Sequence, residues 1–235
     1  MISSHSQAVS FNDRWLHWLQ TERAIAVIRA PNLATGEAMA RAVAAGGMRL
    51  IEVTWNSDRP ETLVHQLRQR LPDCLIGAGT ITTPQQVSAA IASGAQFLFS
   101  PHTNRALIQQ AAECEIPFVA GALTPTEIMT AWQVGAAAVK VFPIQCVGGA
   151  DYLRAVREPL GEIPLVPTGG VTLENARTML EAGAIAVGLA GQLFPKAAVK
   201  NGEWAIVQER AAQLKHSLEP SLEPSLGSRA AFGAV

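Results

Sequence analysis

The sequence is poor in charge and poorer still in lysine. Only 16% of its 235 residues are charged, the formal net charge is -1, and four lysines stand among 18 basic residues. A chain this close to neutrality has no basic field to draw in nucleic acid or an anionic membrane surface. Cysteine is sparse as well. Cys74, Cys114 and Cys146 are odd in number and lack metal-ligand spacing, which argues against a disulfide framework and for a reducing compartment. No stretch approaches the roughly 18 apolar residues of a membrane span. Met1–Ser10 lacks the basic start and apolar run of a secretory signal. Together these absences lead to the expectation of a soluble, cytoplasmic protein that handles a small molecule.

What the sequence does have is apolar residues, 49% of the chain, enough for one large core. Short β-branched runs alternate with longer segments rich in Ala, Leu and Gln, the pattern of parallel strands joined by crossover helices. Eight such runs occur: Ala24–Arg29, Arg49–Trp55, Leu75–Thr80, Phe97–Pro101, Pro117–Gly121, Ala138–Pro143, Pro164–Thr168 and Ala184–Leu189. Each is nearly continuously apolar, as strands buried on both faces must be. The count predicts an α/β fold, a (β/α)8 TIM barrel. Glycine recurs before alternate strands, at Gly46-Gly47, Gly94, Gly135 and Gly183, where it suits the C-terminal cap of a helix. Thr83-Pro84, Thr124-Pro125, and Thr172 with Asn175 read as helix starts. Ahead of the first strand, Trp15, Leu16, Trp18 and Leu19 form the stripe of an N-terminal helix covering one end of the barrel. The domain is expected over residues 11–216, after a flexible terminus over 1–10. The repeated Ser-Leu-Glu-Pro text over 217–235 reads as a disordered tail.

Chemistry in such a barrel sits at the carboxyl ends of the strands. Those ends carry Arg29, Glu52, Thr54, Thr80, Lys140, Thr168, Gly169 and Gly170. Lys140 is the sharpest signal. No other lysine occurs in the first 195 residues, and this one lies inside Ala138-Val139-Lys140-Val141-Phe142-Pro143. Burial penalises an ammonium and favours the neutral amine that attacks carbonyls. Strand alternation puts Glu52 and Thr54 on one face, and a carboxyl desolvated inside the barrel is suited to proton transfer near neutrality. An ion pair with Lys140 or Arg29 is the competing reading of Glu52. Arg29 offers a planar cation for a carboxylate. Thr80 adds a hydroxyl beside two glycines. The turn Pro167-Thr168-Gly169-Gly170, with Gly188-Leu189-Ala190-Gly191 after the eighth strand, matches the place where barrels bind phosphate.

Taken in order, Ile51-Glu52-Val53-Thr54, Gly77-Ala78-Gly79-Thr80, Ser100-Pro101, Val139-Lys140-Val141-Phe142-Pro143 and Pro167-Thr168-Gly169-Gly170 resemble the class I 2-keto-3-deoxy-6-phosphogluconate (KDPG) and 4-hydroxy-2-oxoglutarate (KHG) aldolases. The resemblance spans about Ala24 to Pro195. It implies a lyase in which Lys140 forms a Schiff base with pyruvate and Glu52 transfers protons. It further implies that Thr80 contacts the pyruvate portion, Pro101 and Phe142 line the pocket, and Thr168, Gly169 and Gly170 hold the phosphate end. A metal-free homotrimer acting on a 2-keto acid and a phosphosugar acid is implied too.

Two positions depart from the family pattern. Asn56 stands where many members carry the arginine that binds the substrate carboxylate, which leaves Arg29 as the candidate for that grip. Gly191 stands in place of a phosphate-binding serine. Trp55-Asn56-Ser57 looks more like the phosphogalactonate branch, so that substrate is an alternative. A phosphosugar isomerase and a non-catalytic phosphometabolite-binding barrel are the readings outside this chemistry.

Overall fold

The computed structural model describes residues 10–219. Eight strands form one parallel sheet: β1 (Ala24–Ile28), β2 (Leu50–Thr54), β3 (Leu75–Gly79), β4 (Leu98–Phe99), β5 (Phe118–Ala122), β6 (Ala138–Val141), β7 (Leu165–Pro167) and β8 (Val187–Leu189). Neighbours in space are neighbours in sequence, except that β8 pairs back onto β1. The remaining seam, between β7 and β8, is closed by one bridge between Thr168 and Gly188 and by the Ile185 N–H donating to the Leu165 carbonyl at 3.0 Å. A (β/α)8 barrel results, as the run count predicts.

The helices are α1 (Phe11–Glu22), α2 (Leu33–Ala45), α3 (Pro60–Arg70), α4 (Pro84–Ala92), α5 (Arg105–Glu113), α6 (Pro125–Gln133), α7 (Ala150–Leu160), α8 (Ala176–Glu181), α9 (Lys196–Asn201) and α10 (Trp204–Leu218). Thr83 and Thr124 start α4 and α6 through reciprocal capping boxes with Gln86 and Glu127, each with proline in the first turn. Gly47, Gly94, Gly135 and Gly183 follow α2, α4, α6 and α8 with φ between +92° and +98°. A side chain there would be strained even where, as at Gly135, nothing stands nearby.

Thr172 and Asn175 likewise bond reciprocally ahead of α8: the Thr172 hydroxyl accepts from the Asn175 N–H at 3.2 Å, and Asn175 Oδ1 accepts from the Thr172 N–H at 2.8 Å while its Nδ2 donates to the Gly170 carbonyl at 3.1 Å. Two expectations need correction. The fourth strand shrinks from Phe97–Pro101 to Leu98–Phe99: the Phe97 carbonyl still accepts from the Ala78 N–H at 3.0 Å and the Ser100 N–H donates to the Val119 carbonyl at 3.1 Å, but Pro101 has no N–H with which to extend the ladder. The last helix runs past residue 216 to Leu218, which is buried and whose carbonyl accepts from Arg23 at 3.1 Å. It ends two residues before Pro220, where the residue preceding proline is driven out of the helical region. Most of the expected flexible N-terminus (1–9) and of the expected tail (220–235) lies outside the described residues.

Alternation along the strands creates two cores. Residues such as Ile51, Val53, Ile76 and Val139 face outward onto the helices, while Ile25, Val27, Leu50, Phe97, Phe99, Val119 and Val166 fill the lumen. Large inward side chains require small neighbours: a Cβ on Gly77 would fall 2.2 Å from the Phe97 ring. The lower lumen is closed by α1. Its Trp15 stacks on Phe97 with centroids 4.7 Å apart and meets Phe99 edge-on at 6.3 Å, with Leu19 buried beside it.

Trp15 is 2% exposed. Replacing it with Ala is expected to destabilise the fold by about 3–5 kcal/mol through the cavity left under Phe97. Trp15→Phe should cost far less, because the ring is kept and an indole N–H that has no partner is removed. Urea unfolding of both variants measures the difference.

Candidate active site

Strand register decides which polar side chains enter the lumen. Glu52 lies between Val27 on β1 and Gly77 on β3, and Lys140 lies between Gly121 on β5 and Val166 on β7. All belong to the inward set, so the carboxyl and the amine share one apolar enclosure one step above the aromatic plug. Glu52 is 1% exposed and Lys140 is 6% exposed. The Lys140 Nζ stands 5.1 Å from the Phe142 ring centroid and 5.7 Å from that of Phe99. Two aromatic faces flank it, and among the described residues no carboxylate lies within 4.0 Å.

The ion-pair reading of Glu52 is not what the structure forms. Among the described residues Glu52 has no cation within 4.0 Å, and its Oε1 is buried without a hydrogen-bond partner. Burial pushes the Glu52 carboxyl above its ordinary range, and the charges of Lys140 and Arg29 offset only part of that rise. A carboxyl held this way takes up and releases protons closer to neutrality than a solvated one. Its place depends on Gly79. A Cβ there would fall 1.7 Å from the Glu52 Oε1.

Around this pair, Thr54 is buried with its hydroxyl 3.4 Å from that of Ser57, which in turn accepts from the Ala30 N–H at 2.9 Å. These contacts tie the ends of β1 and β2 together. Arg29 and Asn56 meet there, the guanidinium Nε donating to Asn56 Oδ1 at 3.2 Å, both exposed at the mouth. Thr80 follows Gly79 with φ +61°, a left-handed conformation that costs a β-branched residue of order 1–3 kcal/mol. The Ile81 N–H, bonded to the Phe99 carbonyl at 3.0 Å, pins the chain just beyond it. Pro101 lies over Gly121, whose added Cβ would come within 2.2 Å of the Pro101 carbonyl carbon, and Phe142 covers Lys140. Thr168 is buried at the top of β7 beside Gly188. Gly169 and Gly170 have φ of +85° and +93°, and a Cβ on Gly170 would fall 2.2 Å from that of Gln145. Only glycine fits this turn. Gly191 is exposed beyond β8.

A cleft of about 600 Å³ opens on the β1, β2 and β8 side of the mouth, lined by Val27, Arg29, Thr54 and Gly191 among others, but by neither Lys140 nor Glu52. Burial and register, not the cleft, bring Lys140 and Glu52 into one enclosure. Two features escaped the sequence reading. Phe99 packs against Lys140, signalled only by its alternation with Phe97; Lys196 and Lys200 line the cleft, signalled by their spacing on a short segment after the eighth strand. Among the described residues no group of three or more His, Cys, Asp or Glu could hold a metal ion, and no helix is long and apolar enough to cross a membrane.

Two outcomes test this geometry. Gly79→Ala should displace the Glu52 carboxyl and lower kcat by about 100-fold, the scale of losing a positioned acid/base; steady-state rates check it. Because the folded protein binds the Glu52 proton more tightly than the unfolded chain, Glu52 makes stability fall as pH climbs from the ordinary carboxyl range through its raised native value. Glu52→Gln should remove that slope, read as the difference in unfolding free energy between wild type and variant across pH.

The family model for KDPG and KHG aldolase matches residues 17–210. The 2-dehydro-3-deoxy-phosphogluconate aldolase of Dickeya dadantii (strain 3937) is 36% identical over 166 residues, covering 71% of this chain and 78% of its own. The KHG/KDPG aldolase of Escherichia coli (strain K12) is 30% identical over 195 residues, 83% of this chain and 92% of its own. A crystal structure of the KDPG aldolase of Legionella pneumophila, with pyruvate captured at low pH as a covalent carbinolamine intermediate, superposes with a TM-score of 0.79 at 29% identity, covering 87% of this chain and 98% of that one. An apolar barrel enclosing one lysine and one unpaired carboxyl, matched by this family model over most of its length, places the chain in the KDPG and KHG aldolase family.

Proposed function

We propose that this chain is a class I aldehyde-lyase that cleaves 2-keto-3-deoxy-6-phosphogluconate to pyruvate and glyceraldehyde 3-phosphate, and also 4-hydroxy-2-oxoglutarate to pyruvate and glyoxylate. One observation carries the reading: Lys140 and Glu52 are buried in the same apolar lumen, and the carboxyl is left without a partner. A structural role would pair them; a catalytic role needs both groups free to act on a third molecule.

In this mechanism the Lys140 amine attacks the C2 carbonyl. Glu52 supplies the proton with which the carbinolamine hydroxyl leaves as water, giving a protonated imine. The Glu52 carboxylate then takes the proton of the C4 hydroxyl. The C3–C4 electron pair moves into the imine, releasing the aldehyde and leaving an enamine. Protonation at C3 and hydrolysis return pyruvate and the free amine. No cofactor takes part. Arg29, steadied by Asn56, holds the substrate carboxylate in place of the arginine that the family carries at that position. Thr54 and Thr80 flank the pyruvate portion, Pro101 and Phe142 wall the pocket, and Thr168, Gly169, Gly170 and Gly191 receive the phosphate end. The enzyme works as a cytoplasmic homotrimer, the assembly that the family resemblance implies. The names of the two relatives reported, phosphogluconate and hydroxyoxoglutarate aldolases, favour these substrates over the phosphogalactonate alternative.

Borohydride reduction in the presence of pyruvate should add one pyruvate-derived mass to wild type and none to Lys140→Met. Trapping at unchanged yield in the variant would remove Lys140 from the reaction, and no trapping in wild type would remove the imine mechanism.

A further inference from the structure

Three of the four lysines of this chain lie around the barrel mouth, and none of the three has a carboxylate partner among the described residues. The fourth, Lys215, is paired with Glu22 at 2.7 Å, and its ammonium also donates to the Glu22 carbonyl. Lys140 is accounted for by the imine. Lys196 and Lys200 are not.

Both stand on α9, four residues apart and therefore on one side of the helix, and both line the cleft beside Gly191. Like charges at this spacing destabilise a helix. No ion pair offsets the repulsion, and in a chain with so little charge the arrangement is not the by-product of a generally basic surface. The cleft lining contains no aspartate or glutamate. Val27 and Thr54, which belong to the inward set of the barrel, line it too, with Arg29 at the mouth; Met39, Phe194 and Val199 supply most of its apolar wall. A largely apolar concavity that holds two ammonium groups without carboxylate partners and reaches the lumen-facing Val27 and Thr54 fits an extended ligand with a dianionic tail.

We infer that Lys196 and Lys200 add charge to the phosphate end of the substrate site on its Gly191 side, supplying the grip that Gly191, lacking a hydroxyl, does not, and so make this enzyme selective for a phosphomonoester over an unphosphorylated keto acid. The inference rests on the aldolase reading for its substrate. Lysine suits the task, since an ammonium holds phosphate as a compact point charge and needs no fixed bidentate geometry.

The test compares wild type with Lys196→Ala/Lys200→Ala and with the charge-keeping Lys196→Arg/Lys200→Arg. The alanine pair should lower the ratio of kcat/KM for 2-keto-3-deoxy-6-phosphogluconate to that for 4-hydroxy-2-oxoglutarate by about tenfold or more, chiefly through KM, and the arginine pair should restore most of it. Inorganic phosphate should compete with the phosphorylated substrate in wild type and more weakly in the alanine pair. A ratio that does not change, or a loss that the arginine pair shares equally, overturns the inference. Phosphate inhibition that weakens without competing with substrate overturns it as well, assigning the lysines to a separate anion site. Should wild type fail to trap pyruvate, the aldolase reading falls by itself; calorimetric binding of inorganic phosphate, unchanged in the alanine pair, would then reject the lysine site, and weakened binding would keep it.

Discussion

A carboxyl group is held inside an apolar barrel with room for its oxygens and no partner for one of them. Removing a charge from water costs several kcal/mol even after relaxation, and an ion pair with good geometry is the usual compensation. Glu52 lacks it. The lumen instead accommodates the side chain sterically, through the missing Cβ of Gly79, and lets its proton affinity rise. Lys140 is treated in a parallel way, set between the glycine of β5 and the valine of β7 and faced by two aromatic rings. The unusual feature is thus the separation of two groups that would lower each other's energy by touching.

That separation depends on the layering of the lumen. Trp15, Phe97 and Phe99 fill the lower end so completely that polar side chains above them have only the mouth to turn toward. Glycines at the inward positions of β3 then make room for the Phe97 ring and the Glu52 carboxyl, and Gly121 on β5 lets the Pro101 backbone close over the sheet. A barrel with larger residues at these positions would still close, since its hydrogen-bonded register does not involve side chains, but it would have no enclosure. Stability is concentrated at the bottom and along the helix-facing surface, and the top is left to chemistry, the division expected of this architecture.

The mouth itself is asymmetric. On the β4 to β6 side Pro101 folds over Gly121 and Phe142 over the lysine, and on the β1, β2 and β8 side the rim is open, with Arg29 braced by Asn56. Asn56 therefore does not merely lack an arginine's charge. Its Oδ1 accepts from the Nε of Arg29, which arrives from the end of the neighbouring strand, so a guanidinium stands beside this position although the position itself is uncharged.

Much of this was legible in the linear text, because the signals were local. Strand count follows from apolar runs, helix starts from Thr-Pro pairs, and turns from glycines placed where positive φ would strain most other residues; that Glu52 and Thr54 share one face needs only the two-residue period of a strand, and barrel closure decided that this face is the inner one. The sequence likewise singled out Lys140, since an isolated lysine in a buried strand is a local anomaly. Only the tertiary structure decided what these residues meet. That Glu52 goes unpaired, that Gly79 makes its space, that Asn56 reaches Arg29 and that Lys196 and Lys200 line the cleft are relations between segments far apart in the chain. They are fixed by strand register and barrel closure, and no window of sequence contains both partners.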